Sequence, residues 1–215
     1  MTILKLKNTD SRFHLWAGAT VLFACISVAA ACHAANVGDG HAAFTDKDYT
    51  RAMEILKPFA EEGDIQAQMK VGFMYFYGEG VDQDYSKASF WLSHASDSGN
   101  PIAQTMLAKM YHYGWGVEED PQRAFALCQS AAQNGYAEAQ AHLGILYAEG
   151  LGVNKNIAAS VEWLYRAGIS YLNTANRQMA LSMVDTIRQV SPDNYMIYRL
   201  LNEIYNDSGE DHMEP

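Results

Sequence analysis

The stretch that decides the fold is Gly72-Phe-Met-Tyr75-Phe-Tyr-Gly78-Glu-Gly80-Val81. It returns as Ala108-Lys-Met-Tyr111-His-Tyr-Gly114-Trp-Gly116-Val117, and again as Gly144-Ile-Leu-Tyr147-Ala-Glu-Gly150-Leu-Gly152-Val153. The step between copies is 36 residues each time (114 − 78 and 150 − 114). A fixed period of this length is typical of a stack of small supersecondary units. The period therefore predicts a solenoid and not one closed core.

Each copy predicts two helices joined by a glycine turn. Ala67, Val71 and Tyr75 are four apart, so they share one face of a first helix. Gly78 follows as a left-handed cap, because glycine takes positive φ without steric cost. Asp84 is an N-cap residue before a second helix. The apolar face of that second helix consists of Ala88, Trp91, Leu92 and Ala95.

These residues resemble the Sel1-like repeat, a relative of the tetratricopeptide repeat. The matching residues of the first copy are Ala67, Val71-Gly72, Tyr75, Gly78, Gly80-Val81, Asp84, Lys87-Ala88, Trp91, Ala95 and Gly99. The later copies keep most of these positions, but Ala159-Ser160 and Tyr171 depart from the Lys-Ala and Gly of the pattern. Pattern and resemblance together predict an all-α, right-handed α-α superhelix of about nine helices in antiparallel pairs.

The repeats divide the chain into seven segments. They are a cleaved signal peptide (1–34), an N-terminal partial repeat or cap (35–64), three Sel1-like repeats (65–100, 101–136 and 137–172), a tetratricopeptide-like C-terminal cap (173–206) and a disordered acidic tail (207–215).

The first 34 residues have the pattern of an export signal. Lys5, Lys7 and Arg12 precede an apolar stretch without charge, and small residues at Cys32 and Ala34 fit a cleavage site after Ala34. The prediction is an exported protein, periplasmic or secreted. Two alternatives stay open, namely a lipoprotein through Cys32 and a leader retained as an anchor.

Charge limits the classes of partner. Cleavage after Ala34 removes three of the 15 basic residues and one of the 25 acidic residues, so the net charge changes from −10 to −12 (12 − 24). An acidic protein repels phosphate backbones and anionic lipid heads. Neither nucleic acid nor a membrane surface is therefore an expected partner. The charge indicates a solvated surface or a basic partner.

The sequence shows no catalytic or metal-binding motif. It lacks His-Glu-x-x-His, Cys-x-x-Cys, Gly-x-Ser-x-Gly, a phosphate-binding Gly-Lys loop and Ser-x-x-Lys. His94, His112 and His142 fall on separate predicted helices without metal-ligand spacing. Cys128, the cysteine left after cleavage, is predicted to be a small packing residue. The expectation is no enzyme, no metal and no cofactor.

A binding surface is predicted on the first helices, which in this kind of stack line a concave groove. The candidate groove residues are Met69, Phe73, Phe76, Tyr77, Lys109, His112, Tyr113, Glu138 and Glu149. Trp115 lies between the turn glycines Gly114 and Gly116, so it is predicted as a turn-tip contact with little to bury against. The alternative is that the groove rings pack on one another. The remaining structural glycines are Gly78, Gly80, Gly150 and Gly152.

The resemblance implies a non-catalytic scaffold that holds a protein or peptide in its groove. The first hypothesis places this scaffold in the cell envelope. A second is a secreted factor that binds host proteins, and a third is a hydrolase of cell-wall or β-lactam substrates. The oligomeric state does not follow from the sequence.

Overall fold

The computed structural model describes residues 36–207, and within that range the chain forms ten α-helices and no strand. The helices are α1 (Val37–Thr45), α2 (Tyr49–Glu61), α3 (Ile65–Tyr77), α4 (Tyr85–Asp97), α5 (Pro101–Tyr113), α6 (Pro121–Gln133), α7 (Ala137–Glu149), α8 (Ile157–Asn173), α9 (Arg177–Val190) and α10 (Tyr195–Asp207). The predicted signal peptide and residues 208–215 of the predicted tail lie outside the described range.

Each helix packs on the helix before it and the helix after it, which makes the molecule a solenoid of helix pairs. The prediction of an all-α solenoid is confirmed, with ten described helices where about nine were expected. The first of them, α1, begins with a capping box formed by Asn36 and Asp39. With α1 and α2 paired, the N-terminal segment has both helices of a repeat.

The two glycines of each turn have different roles. Gly78, Gly114 and Gly150 end α3, α5 and α7 with φ of 71°, 69° and 78°. The second glycine has positive φ too, and it also touches the backbone of the preceding repeat. A Cβ on Gly116 would lie 2.5 Å from Tyr85 O and 2.6 Å from Ser86 N. The second glycine is therefore an inter-repeat contact that no side chain can enter.

Side-chain amides join the end of each second helix to the first helix that follows. Nε2 of Gln68, Gln104 and Gln140 donates to the carbonyl eight residues earlier, at distances of 3.2, 3.4 and 3.3 Å. These glutamines are buried. They satisfy carbonyls that a helix C-terminus leaves unpaired. The sequence pattern repeats them at 36 residues, but we did not predict this role.

Small and large side chains compensate where the two helices of a repeat cross. The pairs are Gly72 with Leu92, Ala108 with Cys128, and Gly144 with Leu164. A Cβ on Gly72 would lie 2.8 Å from Leu92 Cγ, so glycine is needed opposite leucine. Cys128 is fully buried beside Ala108. Because cysteine is smaller than the leucine of the other repeats, it leaves room for the methyl group that alanine has and glycine lacks. The prediction that Cys128 is a packing residue is confirmed.

The C-terminal part departs from the repeat and from the boundaries expected there. α8 runs for 17 residues to Asn173, because no glycine stops it. The next helix begins at Arg177 after the cap Asn176 and not at Asn173, since Ala175 takes a φ of 56° that breaks the helix. Near the other end of the chain, α2 is continuous although Pro58 lies inside it. No helix among residues 36–207 is long and apolar enough to span a membrane.

Candidate functional site: a strip of rings on the first helices

The first helices form the inner side of the solenoid. α1 touches α3, and α5 touches α7, whereas α3 with α5, and the second helices α2, α4 and α6 with one another, are at most marginally in contact. Helices that are closer together lie on the inside of a curved stack. We therefore assign the inner face to α1, α3, α5 and α7, and the candidate groove residues were predicted on the last three of these helices.

Aromatic and histidine rings form a continuous path along this face. The ring strip consists of Phe44, Phe73, Tyr77, Phe76, Trp115, Tyr113, His112 and His142. Each ring lies within 4.1 to 5.7 Å of the next, measured between centroids. Aromatic side chains at such distances attract one another beyond simple burial. The strip thus connects the four first helices α1, α3, α5 and α7.

The N-terminal half of the strip lies on α1 and α3. Phe44 and Phe73 meet edge to face at 5.7 Å, and Phe73 lies 4.4 Å from Tyr77. Tyr77 is 53% exposed although two rings contact it, because it is the last residue of α3. The rings pack on one another, as the alternative interpretation expected, and they still present an exposed surface.

Trp115 packs in a way that its position in the turn did not predict. Its ring stacks on Tyr113 at 4.8 Å and lies 5.5 Å from Phe76 and 6.1 Å from Tyr85. The expectation that it has little to bury against is wrong, because the turn folds back onto the preceding repeat. Trp115 remains partly exposed and connects the rings of α3 to those of α5.

Two histidines on different first helices meet at the C-terminal end of the strip. His112 Nδ1 lies 3.3 Å from His142 Nε2, and His112 Nε2 lies 3.9 Å from a carboxylate oxygen of Glu149. His142 is only 5% exposed. Burial, together with the nearby His112, lowers the pKa of His142 to about 4, so the ring is neutral at neutral pH. The sequence pattern missed this pair because the two residues are 30 positions apart.

Lys109 and Glu138 form a partly exposed ion pair between α5 and α7. Tyr136 donates a hydrogen bond from its hydroxyl to the other oxygen of Glu138, at 3.1 Å. Burial and the charge of Glu138 raise the pKa of Tyr136, and Tyr171 and Tyr77 add to that effect.

The structure therefore brings most predicted groove residues together on the inner face, but it buries one of them in the core. Met69 is 8% exposed and packs against Leu92 and Leu107 in the core, so it cannot contact a ligand. The helix spacing placed Met69 on the inner side of α3, yet the neighbouring repeat covers that part of the face. The residues that the sequence missed are His142, Tyr136 and Tyr171.

The metal-binding and thiol groups that the sequence analysis considered can now be placed in the structure. Burial raises the pKa of the Cys128 thiol to about 12, which prevents it from acting as a nucleophile at neutral pH. Among the described residues, no three His, Cys, Asp or Glu side chains are arranged to hold a metal ion. What the face offers is exposed aromatic surface beside an ion pair and a pair of histidines.

The fold and this inner face define a class of protein, the helical-repeat scaffolds. The family model described as the Sel1 repeat matches residues 29–64, 65–100, 101–136 and 137–168. These matches cover more than half of the chain, so the chain belongs to the Sel1 repeat family. Proteins of this family are generally non-catalytic scaffolds for protein–protein interaction.

Two solved structures resemble the chain. A crystal structure of a Sel1 repeat protein from Oxalobacter formigenes has a TM-score of 0.66 at 23% identity, covering 81% of this chain and 69% of that chain. A protective antigen present in uropathogenic Escherichia coli strains, which displays an SLR fold, has a TM-score of 0.52 at 28% identity. That match covers 73% of this chain but only 36% of the antigen. No curated protein sequence matches the chain.

Proposed function

We propose that this protein is a non-catalytic scaffold of the cell envelope that holds a segment of a partner protein on the ring strip. The observation that carries the proposal is the exposure of Tyr77 (53%) and Tyr113 (49%) at the ends of successive first helices. Monomeric proteins rarely leave connected aromatic surface open to solvent without an interaction to make. Tyrosine is also enriched among residues that dominate binding energy at interfaces.

The export-signal pattern at the N-terminus supports the envelope location. The protein would act by binding alone. Turnover of a chromogenic β-lactam or of cell-wall fragments by the purified protein would contradict this part of the proposal.

The binding part can be tested by capture with matched variants. Immobilised protein is incubated with an envelope extract of the source organism, and bound proteins are identified by mass spectrometry. The test variant is Tyr77→Ala with Tyr113→Ala. The control variant is Tyr195→Ala with Tyr198→Ala, which removes two tyrosines that are 66% and 72% exposed on α10, away from the strip.

We expect the wild type and the control variant to capture the same partner, and the test variant to lose it. Circular dichroism should show that both variants keep their helical content, since all four tyrosines are exposed. If the test variant retained every partner of the wild type, the ring strip would not be the binding surface.

A second candidate is a secreted factor that binds host proteins. The similarity to the protective antigen of uropathogenic Escherichia coli favours it, although that antigen is much longer than the matched region. Cell fractionation separates the two candidates. Mature protein found in the culture medium and not in the periplasm would favour the secreted factor.

A further inference from the structure

The partner's chemistry can be inferred from the edge of the solenoid where α3, α5 and α7 end. The exposed rings Tyr77 and Tyr113 are the last residues of α3 and α5, so they lie at this edge. Carboxylates accumulate in and beside the turns that follow. We name this surface the acidic edge and define its carboxylates as Glu79, Asp82, Glu118, Glu119 and Glu149.

The helix ends add to the negative potential of the acidic edge. The C-terminus of a helix has a partial negative charge, which lysine or arginine in the last turn often compensates. α3 and α7 have no basic residue in the last turn, and α5 has only His112. The ends of these three helices therefore leave their negative charge uncompensated by lysine or arginine.

The lysine and arginine side chains that follow the first two turns already contact residues of their own repeat. Lys87 pairs with Asp84 at 2.9 Å and also lies over the ring of Tyr75, 5.4 Å from its centroid. Arg123 lies over the ring of Tyr111 at 4.7 Å. The third turn differs because Lys155 packs against Gly150 there. The negative charge is therefore concentrated between the ends of α3 and α5.

Two carboxylates lie beside the sequence neighbours of Tyr113. Glu119 packs over Gly114, the next residue, where an added Cβ would lie 3.4 Å from Glu119 Oε1. Glu149 lies 3.9 Å from His112, whose ring stacks on Tyr113 at 4.1 Å and 15°. An open cavity of about 660 Å³ is lined by Glu118, Glu119 and Asp120 together with Arg123, the cation that covers Tyr111.

We propose that the segment held by the ring strip is basic, with lysine or arginine side chains that cross the acidic edge at Tyr77 and Tyr113. The apolar stems of these side chains would pack on the exposed rings, and their charged groups would reach Glu119 and Glu149. This inference rests on the proposed function and adds the charge of the partner to it.

The chain itself contains the same kind of contact. In successive repeats, the cation three residues into the second helix covers the tyrosine near the end of the first helix, as Lys87 covers Tyr75 and Arg123 covers Tyr111. Similar contacts join Lys70 to Phe44 and Arg166 to Trp163. Within residues 36–207, Tyr77 and Tyr113 take part in no such contact with a cation of the chain. A basic partner segment would complete the pattern.

The test measures fluorescence anisotropy of three labelled nine-residue peptides at 50 mM and 200 mM salt. The peptides alternate glycine-serine spacers with arginine, lysine or glutamate. The test variant is Glu119→Gln with Glu149→Gln. The control variant is Glu54→Gln with Glu203→Gln, which removes the same charge from exposed positions on α2 and α10.

We expect the arginine and lysine peptides to bind and the glutamate peptide not to bind. The test variant should weaken binding about fivefold at 50 mM salt and less at 200 mM, because exposed ion pairs are modest and screened. The control variant should bind as the wild type does.

Three results would overturn the inference. They are equal binding of the glutamate peptide, an equal loss of affinity in the control variant, and no binding of either basic peptide up to about 1 mM, the weak end of measurable affinity. If the basic peptides fail while tyrosine-dependent capture from the extract persists, the partner charge is wrong and the proposed function stands. If capture fails as well, both are wrong.

Discussion

The contact between repeats at the second turn glycine gives the sharpest prediction about stability. Gly116 has a φ of 69°, and a Cβ added there would lie 2.5 Å from Tyr85 O and 2.6 Å from Ser86 N. Both atoms belong to the backbone at the start of α4, so they cannot move aside by a side-chain rotation. The methyl group of Gly116→Ala can be accommodated only if the two repeats separate locally.

A matched control isolates this contact from the cost of the left-handed backbone. Gly135 has a φ of 82°, yet an added Cβ would meet nothing within 4 Å. Gly135→Ala should therefore cost about 1–2 kcal/mol, which is the left-handed strain alone. Gly116→Ala adds overpacking of about 1–3 kcal/mol, so its total should be about 2–5 kcal/mol.

Urea denaturation followed by circular dichroism at 222 nm measures both values. With a slope of about 2 kcal/mol per molar urea, Gly116→Ala should lower the urea midpoint by about 1–2.5 M and Gly135→Ala by about 0.5–1 M. Gly80→Ala should resemble Gly116→Ala, because its Cβ would lie 2.5 Å from the Tyr49 carbonyl carbon. If Gly116→Ala and Gly135→Ala had equal midpoints, the reasoning about the inter-repeat contact would be refuted.

Three further predictions concern single sites. Cys128→Leu should lower the free energy of unfolding by about 1–3 kcal/mol, because the larger side chain overpacks Ala108. Adding Ala108→Gly should recover most of that loss, and a double-mutant cycle of urea midpoints measures the recovery. The folded-state pKa of His142 is lowered from 6.5 to about 4, so the unfolded state binds the proton more readily, and stability should fall as pH drops from about 6.5 to 4. The free energy of unfolding should fall by at most about 3 kcal/mol over this range. If His142→Asn showed the same dependence of unfolding free energy on pH as the wild type, this prediction would be contradicted. Ala159→Arg should stabilise the third repeat by about 0.5 kcal/mol by covering Tyr147, as the equivalent cations cover the tyrosines of the two preceding repeats. A midpoint at or below that of the wild type would contradict this last expectation.

The sequence by itself determined the helix pairs and their turns. Gly78 and Asp84 act within a few residues of their own position, so capping rules alone identify the ends of α3 and the start of α4. The 36-residue period then requires the same pair to recur. The capping rules did not predict the correct start of the helix after Asn173. There Ala175 takes the positive φ that glycine takes in the other repeats, and alanine is not a residue type that indicates such a turn.

Only the tertiary structure decided which side chains of the inner face meet and which remain exposed. Residues on one helix face are visible from spacing, so Tyr77, Tyr113, Lys109 and Glu138 could each be proposed from the sequence as groove residues. The burial of Met69 and the packing of Trp115 could not, because both depend on how far one repeat rotates against the next. That rotation is set by contacts between backbones and small side chains about 30 residues apart, where the second turn glycine permits close approach, and no local pattern encodes its angle.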